Sequence, residues 1–250
     1  MTVVPETSRP RPLHRAKLPP LPLESGAVLR QATLAYHLDG AVSAARDNVV
    51  VVLHALTGSA DASGDWWRGL IGPGAAIDTR VHAVLAPNLL GSCYGSSGPA
   101  LEGDDFPAIT TRDQARAVAV LLEQLGIERV ALVTGGSLGG MVALEFVASF
   151  PGRAARAAVF AAPAAQSASA IAWVHVQREA LRIGGREGLA LARQVAMITY
   201  RTANELAGRF GRRRDATGEF GVQSWLVAHG TRLEARFNLA DVEQALAAVN

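Results

Sequence analysis

Runs of apolar residues alternate with helical periodicity through the first two thirds of the chain. Asn48–Leu56, NVVVVLHAL, is a continuous β-branched stretch and predicts a central strand buried on both faces. Val81–Asn88 and Val130–Val133 predict two more buried strands, Ala154–Ala162 predicts one more apolar strand, and the alternating Ala27–His37 predicts a first antiparallel strand or hairpin. Thr111–Leu125 has the spacing of an amphipathic helix closed by Gly126, and Met141–Ala148 that of a second helix. Strands interleaved with helices in this way argue an α/β fold, a mostly parallel sheet with helices on both faces. From about Ser167 no further strand is predicted and the chain reads as successive helices, a cap over the sheet. The expected divisions are a Pro-rich arm at 1–22, extended or poorly ordered, an α/β core at 23–166 and a helical cap at 167–250.

One junction in this pattern carries chemistry. RVALVTGGSLGGMVALEFVA (129–148) reads as strand, sharp turn, helix, and the turn fits G-x-S-x-G, the nucleophile elbow, with Gly135, Ser137 and Gly139 in the fixed positions. A serine on so tight a turn has a strained backbone, and glycines on either side relieve collisions with strand and helix. The helix that follows aims free amide N–H groups and its positive end at the site, which suits an oxyanion. The pentapeptide alone is a weak signal; between an apolar strand and a helix it is strong, and Ser137 is the candidate nucleophile.

Composition narrows the partners. The 250 residues suffice for one large α/β core, and 49% apolar with 18% charged residues is an ordinary globular balance. A formal charge of +2, from 24 basic and 22 acidic residues, gives no ground for nucleic-acid binding, and Arg212–Arg214 reads as a solvated loop. Cys93 is the single cysteine, so no intrachain disulfide forms and a reducing compartment is expected; its bland role is a small buried apolar residue. No apolar run is long enough for a signal peptide or a membrane span. The expectation is a soluble, cytoplasmic protein with no membrane partner.

Further motifs extend the picture: HALTG at 54–58, WWRGLIGPG at 66–74, PNLLGSCYGSSGP at 87–99, GGSLGG at 135–140, MITYR at 197–201 and GVQSWLVAHGTRLEARF at 221–237. In this order they resemble the homoserine O-acetyltransferase family, acyltransferases of the α/β-hydrolase fold, over most of residues 30–237. The resemblance implies that Ser137 takes an acetyl group from acetyl-CoA and passes it to the hydroxyl of L-homoserine, a step towards methionine, through an acyl-enzyme. It implies oxyanion donors at the backbone N–H groups of Leu138 and Leu56, and an acceptor-binding pair in the cap, Arg193 for the α-carboxylate and Tyr200 beside it. Seven residues apart, these two share one helix face; the bland alternative for Arg193 is a solvated arginine in an Ala-rich helix. Acetyl-CoA is then a co-substrate, and no cofactor or metal is implied.

His54 precedes the serine at the end of a central strand, matches a position that shapes the oxyanion loop in that family, and is not expected to act as base. Trp66 and Trp67 are expected to pack. In a chain ordered Ser, acid, His, the last two follow later strands. The family carries them on loops after two further core strands, which this sequence does not contain; His175 and His229, the histidines downstream of Ser137, fall in the cap. Ending after the cap would leave the 154–162 strand with an open edge, which a homodimer would cover. The motifs do not separate homoserine from serine as acceptor or acetyl from succinyl as donor. An esterase and an inactive binding remnant are the other readings; Arg193 and Tyr200 argue against the first, the strained elbow against the second.

Overall fold

The computed structural model of the protein describes residues 11–103 and 105–248. In chain order they form β1 (His14–Leu18), β2 (Leu21–Pro22), β3 (Val28–Leu29), β4 (Ala32–Asp39), β5 (Val49–Leu53), a short helical turn (Ala62–Trp66), β6 (Ile71–Gly72), β7 (Ile77–Asp78) and β8 (Ala83–Pro87). There follow α1 (Pro99–Glu102), α2 (Thr111–Gln124), β9 (Leu132–Gly136), α3 (Leu138–Ser149), β10 (Ala157–Phe160), α4 (Ala168–Thr199), α5 (Ala203–Phe210), α6 (Gly221–Glu234) and α7 (Leu239–Ala247). Two compact units result. The first holds residues up to Leu90, Tyr94–Ser97 and Thr111–Ala162; the second holds Gly91–Cys93, Gly98–Thr110 and Pro163 onwards.

The first unit is a six-stranded sheet in the order β1-β4-β8-β5-β9-β10. β1 and β4 run antiparallel, as do β4 and β8, while β8, β5, β9 and β10 are mutually parallel. β5 lies between two neighbours and all five of its residues are buried, which is why its sequence is apolar at every position. On one face Val50, Val52, Val84 and Ala86 pack with Ala62 and Ile71, roofed by the half-buried Trp66 and Trp67. On the other, α2 and α3 pack against each other and the sheet, with Phe146 of α3 fully buried.

Three expectations need correcting. The arm at 1–22 is, from His14 on, the edge strand β1, because Ala16, Lys17 and Leu18 find a ladder partner in Leu34, Thr33 and Ala32; the rest of that segment, residues 1–10, lies outside the described residues. The stretch 27–37 is not one strand: Val28–Leu29 pairs back on Leu21–Pro22, and a separate strand starts at Ala32 to meet β1. The strand expected at 130–133 starts two residues later and runs on to Gly136, so the elbow's first two glycines belong to the strand and the turn is made at Ser137 alone.

The second unit is helical. α4 is broken at Gly185, whose φ of 51° and ψ of −123° only glycine takes up cheaply, so its 32 residues are two helices rather than one long rod. Side-chain caps start its helices: Ser167 accepts from the Ala170 N–H, Thr202 from that of Glu205 and Asn238 from that of Ala240. Cys93 belongs here, and it is not simply a small apolar residue. Its thiol donates to the buried Asp241 carboxylate at 3.1 Å, while the other Asp241 oxygen accepts the Ala100 N–H at 3.1 Å in the first turn of α1. Burial, with the carboxylate adding to it, pushes the thiol up to about 12, so this cysteine stays protonated and is no nucleophile. Among the described residues no helix is long and apolar enough to cross a membrane.

Candidate active site

Ser137 stands between β9 and α3 with φ 54° and ψ −125°, a conformation outside even the left-handed helical basin. Side chains that hold such dihedrals cost of order 1–3 kcal/mol and are kept where the surroundings enforce them. Here the enforcement is visible. The Ser137 N–H donates to the Phe160 carbonyl at 2.9 Å, its own carbonyl accepts from Met141 at 3.0 Å in the first turn of α3, and its side chain is exposed and makes no capping bond. The serine thus presents its hydroxyl outward from a backbone clamped on both sides.

The glycines of the motif are dictated by contact. A Cβ on Gly135 would lie 2.4 Å from the Gly139 carbonyl, and one on Gly139 would lie 2.1 Å from the Leu53 carbonyl oxygen. Only hydrogen atoms fit there, so α3 starts almost in contact with the end of β5. Gly139→Ala is accordingly expected to cost about 3 kcal/mol, the upper range of overpacking a filled site. A urea midpoint equal to that of the unchanged protein would contradict this account of the turn.

That approach also fixes where the two expected oxyanion donors, Leu56 and Leu138, leave the sheet. Leu53 and Gly135 are register partners, so the chain beyond each, towards Leu56 and towards Ser137, leaves the same end of the sheet side by side. Leu56 is a central residue of the turn Ala55–Gly58, closed by a Gly58 N–H to Ala55 carbonyl bond of 2.8 Å. Leu138 is the first residue of α3, and an amide there has no acceptor within its own helix. The two proposed donors thus come from adjoining backbone, one from each strand end.

His54 is buried and fully engaged. Its Nδ1 lies 2.8 Å from the Ala55 carbonyl, which can only accept, so Nδ1 carries the proton and Nε2 accepts the Leu89 N–H at 3.0 Å. The ring ties the loop after β5 to the loop after β8. Burial pushes its pKa down to about 4, against the weaker opposing effect of the Ala55 bond, so it is neutral and structural, as the sequence implied. The folded state refuses a proton that the unfolded chain accepts near pH 6.5. The resulting stabilisation is complete above pH 6.5 and is lost as pH falls towards 4, about 3 kcal/mol in all. Urea midpoints at pH 7 and 4.5 should separate much further for the unchanged protein than for His54→Gln; equal separations would contradict the assignment.

Other residues that build this end of the sheet were not singled out from the sequence. Gln114 of α2 is buried and clasps Leu90 with both amide groups, accepting from its N–H at 2.9 Å and donating to its carbonyl at 2.7 Å. Ser96 accepts from the Ala35 N–H and donates to the Asn88 carbonyl. The signal for Gln114 was present: it lies four residues before Val118 and seven before Leu121, a polar residue on an apolar stripe. Ser96 had none, since both of its partners are backbone groups distant in the chain.

Arg193 and Tyr200 lie in and just after α4, in the second unit, and the structure brings them together. The guanidinium carbon is 5.9 Å from the ring centroid, Arg193 is half-buried and Tyr200 exposed. Among the described residues Arg193 has no carboxylate within ion-pair distance. Trp66 and Trp67 pack, as expected, Trp67 edge-on against Phe160 at 5.8 Å. His175 is exposed on α4 and His229 half-buried on α6. No group of three or more His, Cys, Asp or Glu among the described residues is placed to hold a metal ion.

Comparison with known proteins adds ancestry to geometry. Residues 48–220 match the profile of the alpha/beta hydrolase fold family. The homoserine O-acetyltransferase of Thermobifida fusca is 42% identical over 256 aligned residues, covering 88% of this chain and 68% of that protein. That of Leifsonia xyli is also 42% identical, covering 86% of this chain and 63% of that protein, so the chain spans about two thirds of the length of these relatives. Among solved structures, the homoserine O-acetyltransferase of Staphylococcus aureus superposes with a TM-score of 0.84 at 30% identity, over 95% of this chain and 71% of that one.

Proposed function

The chain belongs to the homoserine O-acetyltransferase family of the α/β-hydrolase fold, and from that premise we propose that it moves an acetyl group from acetyl-CoA to the side-chain hydroxyl of L-homoserine through an acyl-Ser137 intermediate. The observation that carries the reading is the conformation of Ser137, a strained, outward-facing serine at a strand–helix junction whose glycines cannot be replaced.

In the first half-reaction the Ser137 Oγ attacks the thioester carbonyl, the proton it gives up ends on the departing coenzyme A sulfur, and the tetrahedral oxyanion is met by the Leu138 and Leu56 amides. The C–S bond then breaks and coenzyme A departs as the thiol. In the second half, the homoserine hydroxyl attacks the acetyl-serine carbonyl, the same amides meet the second oxyanion, and O-acetylhomoserine leaves as Ser137 regains its proton. No electrons change hands, so the transfer calls for no redox group, and no metal or cofactor is assigned. The acid and histidine that usually complete such a triad are assigned to no residue of this chain. Arg193 supplies a planar fork for the acceptor's α-carboxylate with Tyr200 beside it, a feature that a plain esterase has no use for.

An acyl-enzyme makes a prediction that a direct transfer does not. With acetyl-CoA and labelled coenzyme A but no homoserine, label should exchange into acetyl-CoA, because the first half-reaction runs backwards alone. Exchange that requires homoserine would overturn the mechanism.

Self-association belongs to the same reading. β10 is an edge strand among the described residues, and Phe160 on it is 53% exposed. Its open N–H and C=O groups are a template for a second copy of the chain. Sedimentation should show a dimer that Phe160→Lys weakens; a monomer at 50 µM in both cases would contradict this.

A further inference from the structure

Among the described residues of the second unit some arginines stand without an acidic partner, and they lie beside aromatic rings. Trp225 and His229, on successive turns of α6, meet edge to face with centroids 4.8 Å apart, and Phe210 of α5 packs on Trp225 at 5.4 Å. The Arg209 guanidinium lies over both Phe210 and Trp225, 5.1 and 5.3 Å from their centroids, and Arg232 lies one helical turn beyond His229. Arginines nearby are matched to acids: Arg201 to Glu205 at 2.9 Å, Arg186 to Glu234 and Arg182 to Glu179 at 2.7 Å each. Among the described residues Arg209 and Arg232 are not.

Resting on the acyl-transfer reading above, we propose that Arg209, Arg232, Trp225 and His229 form a phosphate-binding surface that takes the nucleotide end of the acyl-CoA donor. Solvated arginines on a helix surface are ordinarily mobile; the Arg209 guanidinium lies over two rings that are inclined 46° to each other. A guanidinium held beside rings keeps its N–H donors for a phosphate and loses less freedom on gripping one. Of the two substrates only the donor carries phosphate. The density of charge is felt by His229, whose pKa is lowered by burial and then by Arg232, Arg193, Arg201 and Arg209 in turn. A bound phosphate would relieve that mutual repulsion. Arg193 takes no part in the phosphate surface, being engaged with Tyr200 and the acceptor.

The test compares binding of coenzyme A, its 3′-dephospho form and pantetheine by calorimetry, using the chain as it stands and Arg209→Gln, Arg232→Gln and the double variant. Both side chains are exposed, and unchanged circular dichroism will show that folding is intact. The unchanged chain should bind coenzyme A at least tenfold more tightly than pantetheine, inorganic pyrophosphate should displace it, and each substitution should weaken coenzyme A by about tenfold while leaving pantetheine alone. Raising the salt should erase the preference. Equal affinity of the double variant for coenzyme A, or no preference over pantetheine in the unchanged chain, would overturn the proposal. Acetylation of Ser137 is read independently by mass, so an acetylated serine with unaltered coenzyme A affinity in the variants would remove the phosphate surface and leave the acyl-enzyme standing.

Discussion

Ser137→Ala should slow transfer of acetyl from acetyl-CoA by about 10³-fold or more, because it removes the hydroxyl proposed to hold the acyl group. The alternative nucleophile, Cys93, is held protonated, and His54 has both ring nitrogens occupied. What distinguishes this prediction from a general loss of fold is the companion variant Ser137→Gly. Alanine keeps the φ of 54° and its strain, whereas glycine occupies that region freely, so the glycine variant should be more stable than the unchanged protein by about 1 kcal/mol while losing transfer equally. A protein made more stable and inactive by one substitution would locate stored strain at the functional atom. If the glycine variant instead unfolds more readily, the strain account of the elbow fails.

Arg193→Ala should lower kcat/KM for homoserine by about 2–4 kcal/mol of transition-state binding, the scale of removing one partner from a desolvated charge pair. The half-buried setting and the stacking against Tyr200 support the larger end, since a guanidinium held in place loses less freedom on gripping a carboxylate. Acylation of Ser137, measured as label exchange between coenzyme A and acetyl-CoA, should hardly change. Arg193→Lys should recover only part of the loss, since an ammonium keeps the charge but not the two parallel hydrogen bonds. Equal loss in the exchange and transfer assays would make Arg193 a structural residue of the helix.

The sequence disclosed most where side chains alone determine the outcome. β5 and β8 are runs of apolar residues because both of their faces are covered, and the positions of the four parallel strands were legible to within three residues. The elbow was legible because Gly135 and Gly139 answer steric demands that no other residue meets. Less legible was whatever depends on pairing across the chain. Nothing within His14–Leu18 announces a strand, because its ladder is supplied by β4, and prolines nearby point the other way. Likewise the partners of Ser96 and Asp241 are brought in from distant segments, backbone groups for Ser96, the Ala100 amide and the Cys93 thiol for Asp241. The kink in α4 lay in plain view as Gly184-Gly185, but two adjacent glycines mark a break only once the helix on either side is known to continue.

The most direct test of the acyl-enzyme is to incubate the chain with acetyl-CoA in the absence of homoserine, quench, digest and locate the added mass. The account predicts a single acetyl group on the peptide that spans the elbow, assigned to Ser137, absent from Ser137→Ala and discharged when homoserine is added. Acetylation that persists in Ser137→Ala, or an adduct on Ser137 that homoserine leaves untouched, would contradict it.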